Sequence, residues 1–201
     1  SEASSILLQV TVGCSHNKCT FCGAYKGERF RIKPDAVILE DIAFAAAHCR
    51  RQRRVFLCDG DALIVPQPRL VRILKEIRRQ LPWVTRVGVY ANAKSIGLKT
   101  PEALAELREL GLGIAYMGLE TGDDATLKGV RKGVGAATMI QTGRKIRAAG
   151  IKLSITVLLG IAGRERSLEH ARETGRVLSA IDPEYVGALS LMLIPGTPLH
   201  A

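Results

Sequence analysis

Short apolar segments alternate with longer amphipathic ones along the chain, and this alternation leaves few folds open. Strand-like runs rich in Val, Ile and Leu fall at residues 6–12, 55–58, 84–91, 114–119, 152–159 and 186–193. Helical patterns separate them: one opened by Pro34 and Asp35 and closing near Arg53, and one at 68–81 with Leu70, Ile73, Leu74 and Ile77 on one face. Three more follow, at 100–110, 136–149 and 167–181. Thr100 before Pro101 is a good helix start, and Gly111 and Gly150 are suitable stops. Connections this long between successive strands imply right-handed crossovers and a parallel sheet with helices outside. Near-continuous apolar strands suit a sheet buried on both faces. Six units do not complete an eight-stranded barrel. The expected fold is therefore α/β, an open partial (β/α)6 barrel of the TIM type with parallel strands, read as one core domain over residues 1–201. Because no helix follows the last strand, a C-terminal extension is expected.

The first strand ends in Gly13 and runs into Cys14-Ser15-His16-Asn17-Lys18-Cys19-Thr20-Phe21-Cys22. Thiolates are soft ligands that select zinc, copper or iron–sulfur clusters. A structural zinc or a closed cubane takes four protein ligands, and only three cysteines lie together here. Three cysteines on a loop at a strand end can hold three irons of a 4Fe-4S cluster and leave the fourth open to an exogenous ligand. The competing readings are a zinc knuckle with His16 as fourth ligand and a thiol redox relay. Zinc loops pair two hooks from separate segments, and no second hook is visible. Cys49 and Cys58 are expected to be small buried hydrophobes.

With 201 residues, 47% of them hydrophobic, the chain can bury a large core without disulfides. Five cysteines with three clustered do not form a disulfide framework, which points to a reducing, cytoplasmic compartment. No leader and no membrane span are expected. A net charge of +10 raises the question of RNA or another anionic partner. Much of the excess sits in Arg50, Arg51, Arg53 and Arg54 and in Arg69, Arg72, Lys75, Arg78 and Arg79, as on helix C-termini and solvated faces. Aromatics are few and not interleaved with them, so RNA is not favoured.

In such folds function gathers at the C-terminal ends of the strands. The first strand leads to the cysteine loop, the second to Asp59-Gly60-Asp61, the third to Tyr90 and Asn92, and the fourth to Glu120. Thr156 lies within the fifth strand and Gly160 ends it. Two acids at a strand end exceed what a turn alone needs, although Asp and Gly also suit turns. A threonine inside a strand also serves β propensity.

This arrangement resembles the radical S-adenosylmethionine (SAM) superfamily across essentially the whole chain. The cysteine loop with Phe21 before Cys22 is similar to that family's cluster motif. The segment from Met117 to Leu127, continuing to Arg131-Lys132-Gly133, is similar to the fourth-strand signature of the branch containing coproporphyrinogen dehydrogenases, methylthiotransferases and elongator-type enzymes. Leu158-Leu159-Gly160-Ile161-Ala162-Gly163 followed by Glu165 is similar to the fifth-strand glycine motif. One departure stands out: four residues, not the usual three, separate Cys14 from Cys19.

The resemblance implies that Cys14, Cys19 and Cys22 hold a 4Fe-4S cluster whose open iron is chelated by SAM. Reductive cleavage then gives a 5'-deoxyadenosyl radical that abstracts hydrogen from a substrate the motifs do not name. It implies further that Asp61 and the Asp59-Gly60 backbone receive the cofactor's ammonium, and that Lys132, with Arg131 as rival, meets its carboxylate. Glu120, Asn92 and more weakly Thr156 would reach the ribose, and Phe21 and Gly160, with Gly163, the adenine. His16 is expected to be an exposed loop residue. A flavodoxin- or ferredoxin-type electron donor is the implied partner. The alternatives are a non-catalytic relative akin to the haem chaperones related to coproporphyrinogen dehydrogenases, and a zinc or electron-transfer module.

Overall fold

A computed structural model describes residues 2–200. In chain order its first half contains β1 (Ile6–Gln9), β2 (Thr11–Val12), β3 (Arg31–Ile32), α1 (Asp35–His48), β4 (Arg54–Cys58), α2 (Gln67–Gln80), β5 (Arg86–Ala91) and α3 (Ala93–Gly97). Then come α4 (Pro101–Glu109), β6 (Leu112–Glu120), α5 (Asp124–Gly129), α6 (Ala136–Ala148), β7 (Lys152–Leu159), α7 (Ser167–Ile181) and β8 (Tyr185–Ser190). Six strands form one sheet in the order β1-β4-β5-β6-β7-β8, every pair parallel. Among the described residues neither β1 nor β8 has a second partner, so the barrel is open, as the alternation of elements implied.

The helices cover the outer face. Along α2 the buried residues are Leu70, Ile73, Leu74 and Ile77, a single stripe at helical spacing. Burying each side chain of that kind contributes about 1.5–3 kcal/mol. These residues join Ile38 and Ile42 of α1 and the outward residues Val55, Leu57, Val87 and Val89 in one core. On the inner face Phe56 stands edge-on to Tyr90 and Tyr116, at 4.8 and 5.4 Å between ring centroids. Position 88 is glycine because a Cβ there would come within 2.9 Å of the Phe56 ring.

Several local expectations are corrected. The first strand does not run unbroken to Val12: β2 leaves the sheet and pairs antiparallel with β3, so residues 13–30 form an excursion closed by a two-stranded ribbon. The short helices α3 and α5 escape a hydrophobic-period reading, yet both are announced by caps. Asn92 and Ser95 form a capping box, and the Asp123 side chain accepts from the Thr126 amide. Helix α1 ends at His48, after which the Cys49 carbonyl accepts from the Trp83 indole at 3.2 Å. Cys49 and Cys58 are half-buried, not fully enclosed. Arg69 and Arg72 are not simply solvated, since both pair with Asp35 and tie α2 to the start of α1. Among the described residues no helix is long and apolar enough to cross a membrane.

Helix α7 is seated on the turn after β6 by a buried polar junction. The Gly122 amide donates to Thr174 Oγ1 at 2.9 Å, and His170 Nδ1 lies 2.8 Å from Thr121 Oγ1. Arg166 forks onto both oxygens of Asp123, each at 2.8 Å. That pair holds the Asp123 carboxyl well below the usual carboxylate range against the opposing effect of burial, while burial lowers the pKa of His170. Both folded-state values lie below the unfolded ones, so both groups contribute stability that is present at neutral pH and lost as pH falls. We expect the difference in denaturation midpoint between wild type and Asp123→Asn to be constant from about pH 5 to 8 and to narrow below about pH 4, where unfolded carboxylates protonate. Urea titrations across that range check this, and an undiminished gap at about pH 3.5 would count against the ion pair as its source.

Candidate active site

The cysteine loop is held from all sides by groups distant in sequence. Asp59 Oδ2 accepts from the Gln9 side chain at 3.0 Å and from the Gly13 amide at 3.1 Å, and the Gly60 amide donates to the Gly13 carbonyl. Gly60 packs so closely on the loop that a Cβ there would lie 2.6 Å from the Cβ of Cys14. The Thr20 amide donates to the Val130 carbonyl, and the Thr20 carbonyl accepts from the Leu199 amide, both at 3.0 Å. His16 is not a free loop histidine: its Nε2 lies 2.7 Å from the Arg131 carbonyl. Five non-glycine residues among those described have positive φ, and four of them, Asn17, Asp59, Glu120 and Arg131, lie on the loops around this site. Such conformations cost on the order of 1–3 kcal/mol each and gather at functional sites.

A buried polar network supports the loop from below. Asp61 is fully buried. Its Oδ2 accepts from Ser15 Oγ at 2.5 Å and from Asn92 Nδ2 at 2.8 Å, and Asn92 Nδ2 also reaches Ser15 Oγ at 3.2 Å. Asn92 Oδ1 meanwhile accepts from the Ser95 amide at 2.9 Å, so one side chain caps α3 and braces the loop. Burial raises the pKa of Asp61 against the hydrogen bonds that lower it. The extra residue in the cysteine spacing thus falls in a segment anchored through Ser15. Removing the carboxylate strands buried donors, at about 1–3 kcal/mol. We expect Asp61→Ala and Ser15→Ala to destabilise the protein and lower iron uptake on reconstitution in parallel, measured by urea titration and iron content.

These elements enclose a cavity of about 420 Å3 at the C-terminal ends of β4 to β7. Of the residues singled out in the sequence, Cys14, Cys19, Phe21, Cys22, Gly60, Asn92, Glu120, Lys132 and Thr156 line it. Asp59, Asp61 and Gly160 do not: the first two are engaged in the bonds just described, and Gly160, at φ 88°, closes the turn after β7. Tyr25, Tyr90, Tyr116 and Met117 are also in the wall, as is His16. The alternation of β6 already turned Tyr116 and Gly118 to one face, whereas no local pattern pointed to Tyr25. The Tyr116 hydroxyl donates to Glu2 at 2.6 Å, and burial together with that bond pushes its pKa up to about 12.

Glu120 and Lys132 meet across the cavity wall at 2.7 Å, with side chains 10% and 13% exposed. Glu120 sits where the β6–β7 register shifts, and its positive φ turns the carboxylate back over Gly118. A Cβ at Gly118 would collide with that carboxylate. One carboxylate oxygen and two ammonium protons remain for a ligand. Lys132 lines this cavity, whereas Arg131 lines a separate outer groove.

The three cysteines are unpaired thiols facing one space. Burial raises the pKa of Cys19, and the Lys132 ammonium acts against that rise. Among the described residues no three His, Cys, Asp or Glu side chains converge closely enough to enclose a single metal ion. Three unpaired thiols lining one cavity suit a cluster, in which each sulfur takes a different iron.

Residues 8–176 match the radical SAM superfamily. The chain belongs to that superfamily. Its members are enzymes that use a 4Fe-4S cluster and SAM. A biotin synthase from Alkalilimnicola ehrlichii is 24% identical over 204 residues, covering 98% of this chain and 58% of the relative. The chain therefore spans little more than half the length of that enzyme. Among solved structures, methylornithine synthase superposes with a TM-score of 0.73 at 18% identity, over 97% of this chain and 55% of that one. The radical SAM methyltransferase TsrM from Kitasatospora setae, determined with cobalamin and a 4Fe-4S cluster bound, gives 0.75 at 21% identity, over 96% and 38%. These likenesses establish the partial-barrel fold of a radical SAM core.

Proposed function

We propose that the chain is a single radical SAM core domain that cleaves SAM reductively to initiate hydrogen abstraction from a substrate, working in the cytoplasm. The observation that carries the reading is the convergence of Cys14, Cys19 and Cys22 on one cavity that the Glu120–Lys132 pair also lines. When bound, the cluster and SAM supply the electron and the carbon–sulfur bond whose cleavage gives a 5'-deoxyadenosyl radical. The chain's own residues bind and orient. Lys132 favours the Cys19 thiolate and offers its spare protons to a carboxylate, and the free oxygen of Glu120 offers an acceptor to a hydroxyl. Thr156 presents its hydroxyl from β7, Asn92, just beyond β5, has both amide protons committed to Asp61 and Ser15 and keeps one acceptor site on Oδ1, and Phe21 closes the loop side. Tyr90 and Tyr116 line the cavity from β5 and β6 and stand edge-on to Phe56 behind them, which gives this side of the site a packed aromatic wall.

In this reading Asp61 holds the loop through Ser15 and does not itself receive the ammonium, a role left to backbone groups near Gly60. The non-catalytic alternative, a cluster-holding relative, would retain the cysteines without needing the Glu120–Lys132 pair. Anaerobic reconstitution followed by reduction with dithionite in the presence of SAM, assaying 5'-deoxyadenosine, tests the proposal. Formation of the nucleoside supports it; a cluster-bearing protein that forms none favours the non-catalytic relative, and a colourless zinc protein sinks both.

A further inference from the structure

Lysine is almost never enclosed in a protein interior, yet Lys99 is only 6% exposed. It lies just past the end of α3, and its ammonium donates to the Val65 carbonyl at 2.7 Å. Val65 closes a single 3-10 turn, Ala62–Ile64, whose N-terminal cap is Asp61. Ala62, Leu63 and Val65 are fully buried, so a carboxylate and an ammonium stand at the two ends of one apolar turn. Asp61 Oδ2 carries the bonds from Ser15 and Asn92, whereas its Oδ1 is buried and accepts no hydrogen bond among the described residues. Lys99 in turn keeps two ammonium protons beyond the one given to Val65. Burial lowers the pKa of Lys99, and the charge that opposes this is the Asp61 carboxylate. Helix α3 thus approaches Asp61 twice, with its cap Asn92 as a hydrogen-bond donor and with Lys99 as a charge.

We propose that Lys99 is a positioning residue for the cysteine loop: its ammonium balances the buried Asp61 carboxylate, and through Asp61 and Ser15 it fixes the segment between Cys14 and Cys19. The inference rests on the radical SAM reading for the cluster that this loop holds. Without Lys99 the carboxylate stands alone in the interior, and a buried charge without a counter-charge is relieved by movement toward water. That movement takes Asp61 away from Ser15 and Asn92, and Ser15 adjoins Cys14. The Val65 bond explains a donor at position 99 but not a cation, because a neutral amide satisfies a carbonyl without the desolvation that an ammonium incurs.

The test compares reconstituted wild type with Lys99→Gln, which keeps a donor for Val65 and removes the charge, and with Lys99→Met, which removes both. Each is also made in an Asp61→Asn background. Iron loss to excess bathophenanthroline disulfonate is followed by absorbance, and the dithionite-reduced cluster by electron paramagnetic resonance. Lys99→Gln is expected to release iron about tenfold faster than wild type and to alter the resonance line shape. In the Asp61→Asn background the same substitution should change neither, because no carboxylate is left to balance. A Lys99→Gln protein that folds only when Asp61→Asn accompanies it would show the same coupling. Equal acceleration in both backgrounds would overturn the inference, as would wild-type iron retention in Lys99→Gln. Acceleration confined to Lys99→Met would also overturn it, by reducing Lys99 to a donor for Val65. A wild type that takes up no 4Fe-4S cluster would fail the functional reading itself, which is distinct from a cluster-bearing wild type whose iron loss is indifferent to position 99.

Discussion

Alanine at Cys14, Cys19 or Cys22 is expected to reduce 5'-deoxyadenosine formation to the level of a no-enzyme control, with iron content after reconstitution falling in each variant. The size of the effect follows from ligand count. A cluster held by three protein thiolates has none to spare, and the loop that presents them is too constrained to substitute another donor. Gly60 packs against Cys14, Asp59 ties Gly13, and Thr20 is bonded on both sides by Val130 and Leu199. His16, the only nearby alternative ligand in the loop, is engaged with the Arg131 carbonyl. Cys49→Ala supplies the control, because that thiol lies beyond α1 and its carbonyl, not its side chain, makes the contact with Trp83. Retention of full iron and activity in any of the three loop variants would show that the triad is not the ligand set.

The second large effect is expected at the ion pair. Lys132→Met leaves the Glu120 carboxylate nearly buried without its partner, and breaking such pairs costs about 3–5 kcal/mol. The lower end applies here, because the pair borders an open cavity. Glu120→Gln/Lys132→Met removes the uncompensated charge and is expected to recover most of that loss in a urea titration, since isosteric replacement of a buried pair is often close to neutral. SAM-dependent cleavage should remain defective in the double variant. That divergence between stability and activity separates a pair kept for the ligand from one kept for the fold. Recovery of both together would argue that Glu120 and Lys132 are structural.

Local periodicity carried a great deal of this protein. The alternation of strands and helices, the parallel open barrel and the placing of polar residues at strand ends are legible because hydrophobic period and turn chemistry act within a few residues. The cysteine spacing was equally plain. The two short helices could have been found from the caps Asn92-x-x-Ser95 and Asp123-x-x-Thr126, signals weaker than a hydrophobic stripe but present in the chain. The β2–β3 ribbon had no such local mark, because each strand is two residues long and pairs across the whole cysteine excursion.

Side-chain direction at the site could not be read in the same way. Asp61 stood at the right strand end for a cofactor contact, yet Ser15 and Asn92, 46 and 31 residues away in the chain, draw it into the interior. Lys132 and Arg131 are adjacent and chemically alike; a positive φ at Arg131 and a bond from His16, 115 residues distant, send one to the cavity and the other to the outer groove. Glu120 meets Lys132 only because the β6–β7 register shifts beside it. The elements of this protein were therefore set by forces that operate along the chain, whereas the orientation of its site groups was set by backbone turns and hydrogen bonds that exist only once distant strands are brought side by side.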